Sequence, residues 1–313
     1  MEERAATGTP RFLVVRLSSL GDVVCTLPVA GALKSGHPGC HVTWAVDQRF
    51  ASIVERCVHV DTVWLAKQNQ QDLRAATFDV AFDMQGLLKS AWIVHTARAD
   101  RRLGYHWQRE GSRWFSSPVL PDPSSLHVVD QYVDVVRAAG GVADQADFGL
   151  RPLMKDLDSV REKLAGVERF VAINPGAAWK TKRWAPSSVA TLVDRLAAAG
   201  LPCVLIGGKS DAEIQTAADV AATCRASVTS LVGQTSLGEL VGLISLAAAH
   251  VGSDTGSTHI AAALGVPAVG LYSLTKPERS CPYGQRTHCI VHPEGINAIA
   301  PEDVAEKVME VLR

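Results

Sequence analysis

Three short segments of this chain combine residue types that bind and move charged groups. The first is Ser18-Ser19-Leu20-Gly21-Asp22, set between an apolar run and a helical stretch. Gly21 allows a sharp turn from strand to helix, and the two serines can cap that helix or donate to a ligand. Asp22 falls at the helix start, where it is either a cap favoured by the helix dipole or a carboxylate base. The second segment is Asn174-Pro175-Gly176-Ala177, followed by Lys180-Thr181-Lys182-Arg183-Trp184-Ala185-Pro186. The cations suit a solvated surface loop. Between a strand end and a helix start they equally suit a pyrophosphate, with lysine as a mobile charge and backbone amides as fixed donors. The third is Val251-Gly252-Ser253-Asp254-Thr255-Gly256-Ser257-Thr258-His259, running into the small apolar stretch IAAALG. Its Ser, Thr and Gly residues make a helix N-terminus rich in donors, and its glycines let a phosphate approach. Taken alone, it is as much a well-capped structural helix with His259 facing inward. Taken with the Lys182 cluster, phosphate binding is the better reading. Neither a GxGxxG nor a Walker loop occurs.

The elements that would position these segments follow from hydrophobic patterning. Short β-branched runs predict strands at 11–17, 41–46, 60–64 and 78–83, with helices reaching about 33, at 50–58 and at 87–98. The pattern restarts with strands at 170–174, 202–206, ending at 250–252, and 268–272. Helices are expected at 187–199, 211–225, 237–248, 258–264 and 301–312. Strands alternating with helices imply parallel βαβ units, hence two doubly wound α/β domains at 1–160 and 161–313. The linker is placed near 150–165, where the composition turns to Gly, Asp, Lys and Pro. Such a pair of domains is expected to hold ligand in a cleft between the carboxyl ends of its strands.

Composition excludes several classes. With 313 residues, 47% hydrophobic and 20% charged, the chain is ordinary globular protein. Its 31 Lys and Arg against 32 Asp and Glu leave no basic domain for nucleic acid. No apolar stretch is long enough to span a bilayer. The first ten residues read as a disordered leader without a signal-peptide core, so a cytoplasmic location is expected. Seven scattered cysteines fit no CxxC or zinc spacing, and Cys25, Cys57 and Cys203 read as reduced buried thiols. A literal DxD at Asp156-Leu157-Asp158 falls in the polar linker and is given no metal role.

The blocks LSSLGDVVCTLP, NPGAAWKTKRWAP and GQTSLGELVGLISLAAAHVGSDTGSTHIAAALGVPAVGLY, in that order, resemble glycosyltransferase family 9, the ADP-heptose:lipopolysaccharide heptosyltransferases. FDMQGLLKSAWIV and GYHWQREGSRWF are most similar to the heptosyltransferase I branch, which adds the first heptose to Kdo of the inner core. The resemblance implies a GT-B fold, two Rossmann-like domains whose parallel sheets face each other across a cleft. The first domain would bind the acceptor and the second the nucleotide sugar, with inverting chemistry and neither cofactor nor metal. It implies Asp22 as catalytic base and Lys182 on the donor phosphates. Asn174, Glu213, Thr235, Asp254, Thr255, Gly256 and His259 join Lys182 on the ADP-heptose side. Ser18, Ser19, Gly21, Gln85, Lys89 and Arg109 fall on the side of a lipid-linked saccharide. A monomer with peripheral contact to the inner membrane is the implied state. One stretch departs from the branch: after the third strand, LAKQNQQDLRAA carries only Lys67 and Arg74 where several arginines are expected, and Arg98, Arg101 and Arg102 lie elsewhere. That leaves open a less anionic acceptor, or another nucleotide sugar within the same family.

Overall fold

The apolar runs form strands because parallel sheets covered on both faces bury every side chain of a central strand. The computed structural model describes residues 8–177, 179–273 and 276–313; most of the expected leader, at 1–7, lies outside them. The chain divides into two compact units, Met1–Leu150 and Arg151–Arg313.

In chain order the first unit holds β1 (Arg11–Val15), α1 (Leu20–Thr26), α2 (Pro28–Gly36), β2 (His41–Val46), α3 (Ala51–Val54), β3 (Thr62–Leu65) and α4 (Gln70–Ala75). There follow β4 (Thr77–Asp83), α5 (Leu88–Thr96), β5 (Arg98–Tyr105), β6 (Ser117–Val119) and α6 (Val128–Arg137). The sheet is parallel, in the order β3-β2-β1-β4-β5-β6. Val15 lies opposite Ala45 on one side and Asp83 on the other, so β1 is the centre. Leu13, Val15 and Ala81 pack with Leu17, Phe78, Ile93 and Val94 in a core beneath α5.

The second unit holds α7 (Met154–Leu164), β7 (Val171–Asn174), α8 (Pro186–Ala198), β8 (Cys203–Leu205), α9 (Asp211–Thr223), β9 (Thr229–Ser230) and α10 (Leu237–Leu246). It continues with β10 (Ala249–Ser253), α11 (Gly256–Ala263), β11 (Ala268–Tyr272), α12 (Pro277–Ser280), β12 (Ile290–Val291) and α13 (Pro301–Val311). Its sheet is also parallel, ordered β12-β11-β10-β7-β8-β9. Renumbered from its own first strand, this is the winding of the first unit. Each sheet therefore has one switch point, between β1 and β4 and between β7 and β10, where strand order reverses and the crevice at the carboxyl edge takes ligand.

Several expectations are corrected. The division falls after Leu150 rather than at 160/161, because the expected linker is helix α7. That helix is fastened to α10: Ser159 Oγ donates to Glu239 at 2.6 Å, and Lys163 pairs with the same carboxylate. The DxD aspartates lie in α7, where Asp156 accepts the Leu153 N–H at 3.3 Å and Asp158 pairs with Arg161 at 3.3 Å. The single helix expected to reach about 33 is two, with Pro28 opening the second. The arginine-rich strand β5 and helix α6 were not anticipated. Arg102 donates to the carbonyls of Val94 and Ala97 at the end of α5, and Arg101 to that of Ala138. Those arginines serve helix ends. Cys25, Cys57 and Cys203 are buried and outside any disulfide, as read from their surroundings.

Candidate functional site

At the first unit's switch point the chain leaves β1 through Arg16-Leu17-Ser18-Ser19 and enters α1. Arg16 is the one charged residue between Phe12 and Gly21, and its side chain is only 7% exposed. Its Nη2 lies 2.7 Å from Asp22 Oδ1, its Nη1 donates to the Met84 carbonyl, and its guanidinium carbon sits 5.3 Å from the Tyr132 ring centroid. Asp22 Oδ2 accepts the Ser19 N–H at 3.1 Å and the Ser19 Oγ–H at 2.8 Å. The Asp22 side chain is 43% exposed. These three donors occupy three of the roughly four acceptor positions of a carboxylate, leaving one on the exposed group for a further proton donor. Burial pushes the Asp22 carboxyl up, but Arg16 and the Ser19 bonds outweigh it and hold the group below the ordinary carboxylate range.

β4 supplies the other side of this point. Asp83 is fully buried, and its Oδ1 accepts the N–H groups of Gln85 and Gly86 at 3.1 and 2.9 Å, shaping the turn that follows the strand. Burial raises its carboxyl above the usual range despite those bonds. Gln85 Oε1 accepts the Leu17 N–H at 2.9 Å, and its Nε2 donates to Ser18 Oγ at 3.4 Å, tying the two strand ends together. Lys89 stands exposed in the first turn of α5. Arg109 donates its N–H to the Gly86 carbonyl at 2.8 Å, while its guanidinium lies 5.8 Å from the Trp107 ring. Gly21 differs from expectation: it lies inside α1 and is absent from the left-handed glycines, so Ser18 and Ser19 make the turn.

At the second switch point Asn174 ends β7. Its Oδ1 accepts the Gly176 N–H at 3.0 Å and its Nδ2 donates to Ser257 Oγ at 2.9 Å, fastening the strand to α11. Asp254 and Thr255 follow β10, with Thr255 as N-cap and Gly256 as first residue of α11. Lys182 Nζ lies 2.7 Å from Asp254 Oδ2, and His259 Nε2 lies 3.3 Å from Asp254 Oδ1. Here the exposure is reversed: Asp254 is 14% exposed and Lys182 25%. Burial would raise the Asp254 carboxyl, but His259 and Lys182 hold it down. The Lys182 loop is fixed by Trp184, buried in the core with its Nε1 on the Ile299 carbonyl at 3.2 Å, and by Arg183 on the Ala177 carbonyl at 2.7 Å. The Lys180 side chain lies outside what is described.

Glu213 occupies the first turn of α9, where its Oε1 accepts the Gly208 N–H at 2.9 Å and its Oε2 the Ser210 hydroxyl at 2.7 Å. A methyl group on Gly176 would stand 2.9 Å from Glu213 Cγ, which places this carboxylate beside the ends of β7 and β8. Thr235 is half-buried in the loop leading to Ser236, the N-cap of α10. The second unit thus gathers Asn174, Lys182, Asp254, Thr255, Gly256 and His259 at one point, with Glu213 adjoining. The first gathers Ser18, Ser19, Asp22 and Gln85, with Arg109 beside Gly86. Arg16 and Ser257 were missed. A lone arginine in an apolar strand just ahead of an Asp was the available signal for the former.

Comparison with known proteins identifies the fold and the family. The model of glycosyltransferase family 9 (heptosyltransferase) matches residues 67–309. A lipopolysaccharide heptosyltransferase 1 from Pseudomonas aeruginosa is 29% identical over 301 residues, covering 88% of this chain and 82% of that protein. A family 9 glycosyl transferase from Veillonella parvula superposes with a TM-score of 0.86 at 20% identity, over 97% of both chains. The E. coli heptosyltransferase WaaC solved with ADP gives 0.79 at 22% identity, over 96% of this chain and 99% of that one. Two Rossmann-like units of identical winding, shared with these structures, constitute the GT-B fold. With its model spanning most of the sequence, the chain belongs to glycosyltransferase family 9.

Proposed function

We propose that the protein transfers heptose from ADP-heptose to the Kdo region of the lipopolysaccharide inner core, with inversion and without a metal ion. The first unit takes the acceptor and the second the nucleotide sugar. The observation carrying this reading is the opposite exposure of two ion pairs. At the first switch point the carboxylate is the accessible partner, Asp22 at 43% against Arg16 at 7%. At the second it is the ammonium, Lys182 at 25% against Asp254 at 14%. An inverting transfer needs a base on the acceptor hydroxyl and positive charge on the departing diphosphate. The acceptor oxygen bonds to the anomeric carbon, the bond from that carbon to the phosphate oxygen breaks, and Asp22 takes the hydroxyl proton. Held low by Arg16, Asp22 is a weak base suited to late proton transfer from a transition state with oxocarbenium character. Lys182 and the amides opening α11 receive the developing charge on ADP, the role a divalent cation fills elsewhere. Glu213 is assigned to the ribose and Thr235 to adenine; Ser18, Ser19, Gln85, Lys89 and Arg109 face the acceptor. The names of the relatives, one of them solved with ADP, support the donor and the pathway. The reaction would take place at the cytoplasmic face of the membrane, and no helix among the described residues is long and apolar enough to cross it.

Calorimetric titration with ADP, UDP and GDP, each with magnesium and with EDTA, tests the donor side. ADP preference that survives EDTA is expected. Preference for UDP or GDP would move the donor, and a magnesium requirement would remove Lys182 from its role. Incubation with ADP-heptose and a Kdo-bearing acceptor tests the rest, with the anomeric configuration of the product read by NMR. The second reading, a less anionic acceptor, is favoured by the segment after β3, where only Lys67 and Arg74 carry positive charge. Transfer to a neutral saccharide in preference to the Kdo acceptor would establish it.

A further inference from the structure

Large apolar side chains stand in solvent along one edge of the first sheet. Trp92 is 57% exposed, Trp107 53% and Trp114 80%, and Leu88 and Leu120 are exposed beside them. All lie on the segments that follow β4, β5 and β6 in the chain. Leu88 and Trp92 are one turn apart on α5, Trp107 and Trp114 lie between β5 and β6, and Leu120 follows β6. Because the strands are parallel, Leu88, Trp107 and Leu120, each shortly past a strand's carboxyl end, stand on the edge of Asp22 and Gln85, while Trp92 lies one turn further along α5 and Trp114 on the connection returning to β6. Contacts join the parts: Trp92 lies 5.6 Å from His95, and His95 lies 5.1 Å from Phe115. The Leu88 N–H donates to Glu110 Oε2 at 3.2 Å, and the Trp107 carbonyl packs closely on Gly86.

Three exposed tryptophans within so short a stretch are unusual, since folded chains cover large aromatic surface unless it serves contact. The charges around them are one-sided. Across 84–97 and 103–121 the ionised residues are Lys89, Arg109 and Arg113 against Glu110, whose carboxylate already takes the Leu88 N–H. Indole rings interleaved with cations match the boundary of an anionic bilayer, where the ring lies among headgroups and each cation meets a phosphate. We infer that the β4–β5–β6 edge, through Trp92, Trp107 and Trp114 with Lys89, Arg109 and Arg113, docks on an anionic lipid surface. The inference deepens the assignment of the first unit to a lipid-linked acceptor, and rests on it only for what the surface delivers to Asp22.

Sedimentation of the whole protein with phosphatidylglycerol-containing vesicles and with phosphatidylcholine alone tests it, with no sugar or nucleotide present. Binding to the anionic vesicles is expected to be at least about tenfold tighter and to weaken as salt rises. Trp92→Ser with Trp114→Ser should lower it about tenfold or more, and Arg113→Glu about fivefold or more. ADP affinity of each variant, measured by calorimetry, should match the parent and serves as the check on folding. Failure of the parent to sediment, equal binding to both vesicles, or unchanged binding by the variants would overturn the inference. Vesicle binding without ADP binding would overturn the donor assignment and leave this surface standing; the reverse result would do the opposite.

Discussion

Replacing Lys182 with methionine removes one positive charge while keeping a stem of similar reach, and separates two roles for that lysine. Two unit charges 4 Å apart attract by ~4 kcal/mol at an effective dielectric of ~20 and ~1 kcal/mol in water. The Lys182 side chain is 25% exposed, so its coupling to a bound diphosphate falls between those limits. Asp254, at 2.7 Å, already draws on the same charge, and the ligand gains only the difference. A loss of about 1–3 kcal/mol is expected, or roughly five- to hundredfold weaker ADP binding. Adenosine, which lacks the phosphates, should bind as before. The fold should survive, because Asp254 keeps His259 at 3.3 Å and precedes the N-terminus of α11, where an anion is favoured by about 0.3–1 kcal/mol. Calorimetry with ADP, AMP and adenosine on parent and Lys182→Met reads the ratio directly. If the ADP-to-adenosine ratio is unchanged while the melting temperature drops, Lys182 exists to neutralise Asp254, and the phosphate argument fails.

Asp22→Asn should abolish transfer with ADP affinity held within about twofold, and appreciable turnover would remove Asp22 as the base. Because Arg16 and Ser19 overcome burial and hold Asp22 low, activity should persist as pH falls to about 4. Arg16→Met should lift the acidic limb of the kcat/KM profile, and a limb that stays put would contradict the pairing. The second unit should lose stability in acid in two stages. Burial lowers His250 to about 4, below its ordinary 6.5, so its contribution is lost as pH falls from 6.5 towards 4. For Glu239, burial is outweighed by Lys163, Ser159 and Ser236, which bring it from 4.5 to about 2; its contribution is lost between those values. Urea midpoints that stay constant from pH 7 to pH 3 would refute both. Gly86→Ala should cost about 2 kcal/mol or more in thermal unfolding, since φ there is +69° and a methyl would stand 2.4 Å from the Trp107 carbonyl oxygen; a neutral result would mean the turn relaxes freely.

Most of the strands were legible because a buried parallel strand must be a short apolar run. β1, β2, β4, β7 and β11 fall, to within two residues at either end, where RFLVVRL, HVTWAV, FDVAFD, FVAIN and AVGLY place them. β5 was not legible: in RADRRLGY, Arg101 and Arg102 turn towards helix ends, information held by tertiary structure and not by periodicity. α7 escaped for a similar reason, since its polar sequence resembles a linker until Glu239 on α10 supplies a partner for Ser159 and Lys163. At the candidate site, the glycine, serine and aspartate signals marked both strand ends. What they could not show is which member of each ion pair reaches solvent, because that depends on the side chains packed around it. Gly21 illustrates the limit: its type suggested the turn, while Ser18 and Ser19 make it.

The two units use one winding to produce opposite results at their switch points. In each, an aspartate follows a central strand and a cation holds it. Where the cation directly follows the strand, as Arg16 follows β1, the packing around the strand end buries it and the carboxylate remains outside on a helix. Where the cation comes from a loop anchored by a core residue, as Lys182 is by Trp184, the carboxylate is enclosed at the strand end and the ammonium remains outside. Building both units alike would leave the fold's winding intact and its chemistry void, since two exposed cations offer no base and two exposed carboxylates repel a diphosphate. On the proposed function, the placement of the cation, directly after β1 or on the loop after β7, is therefore what would distinguish an acceptor side from a donor side in a repeated Rossmann-like unit. Arg16→Met and Lys182→Met should accordingly fail differently: the first moves the pH profile and spares ADP affinity, while the second weakens ADP and leaves the acidic limb where it was.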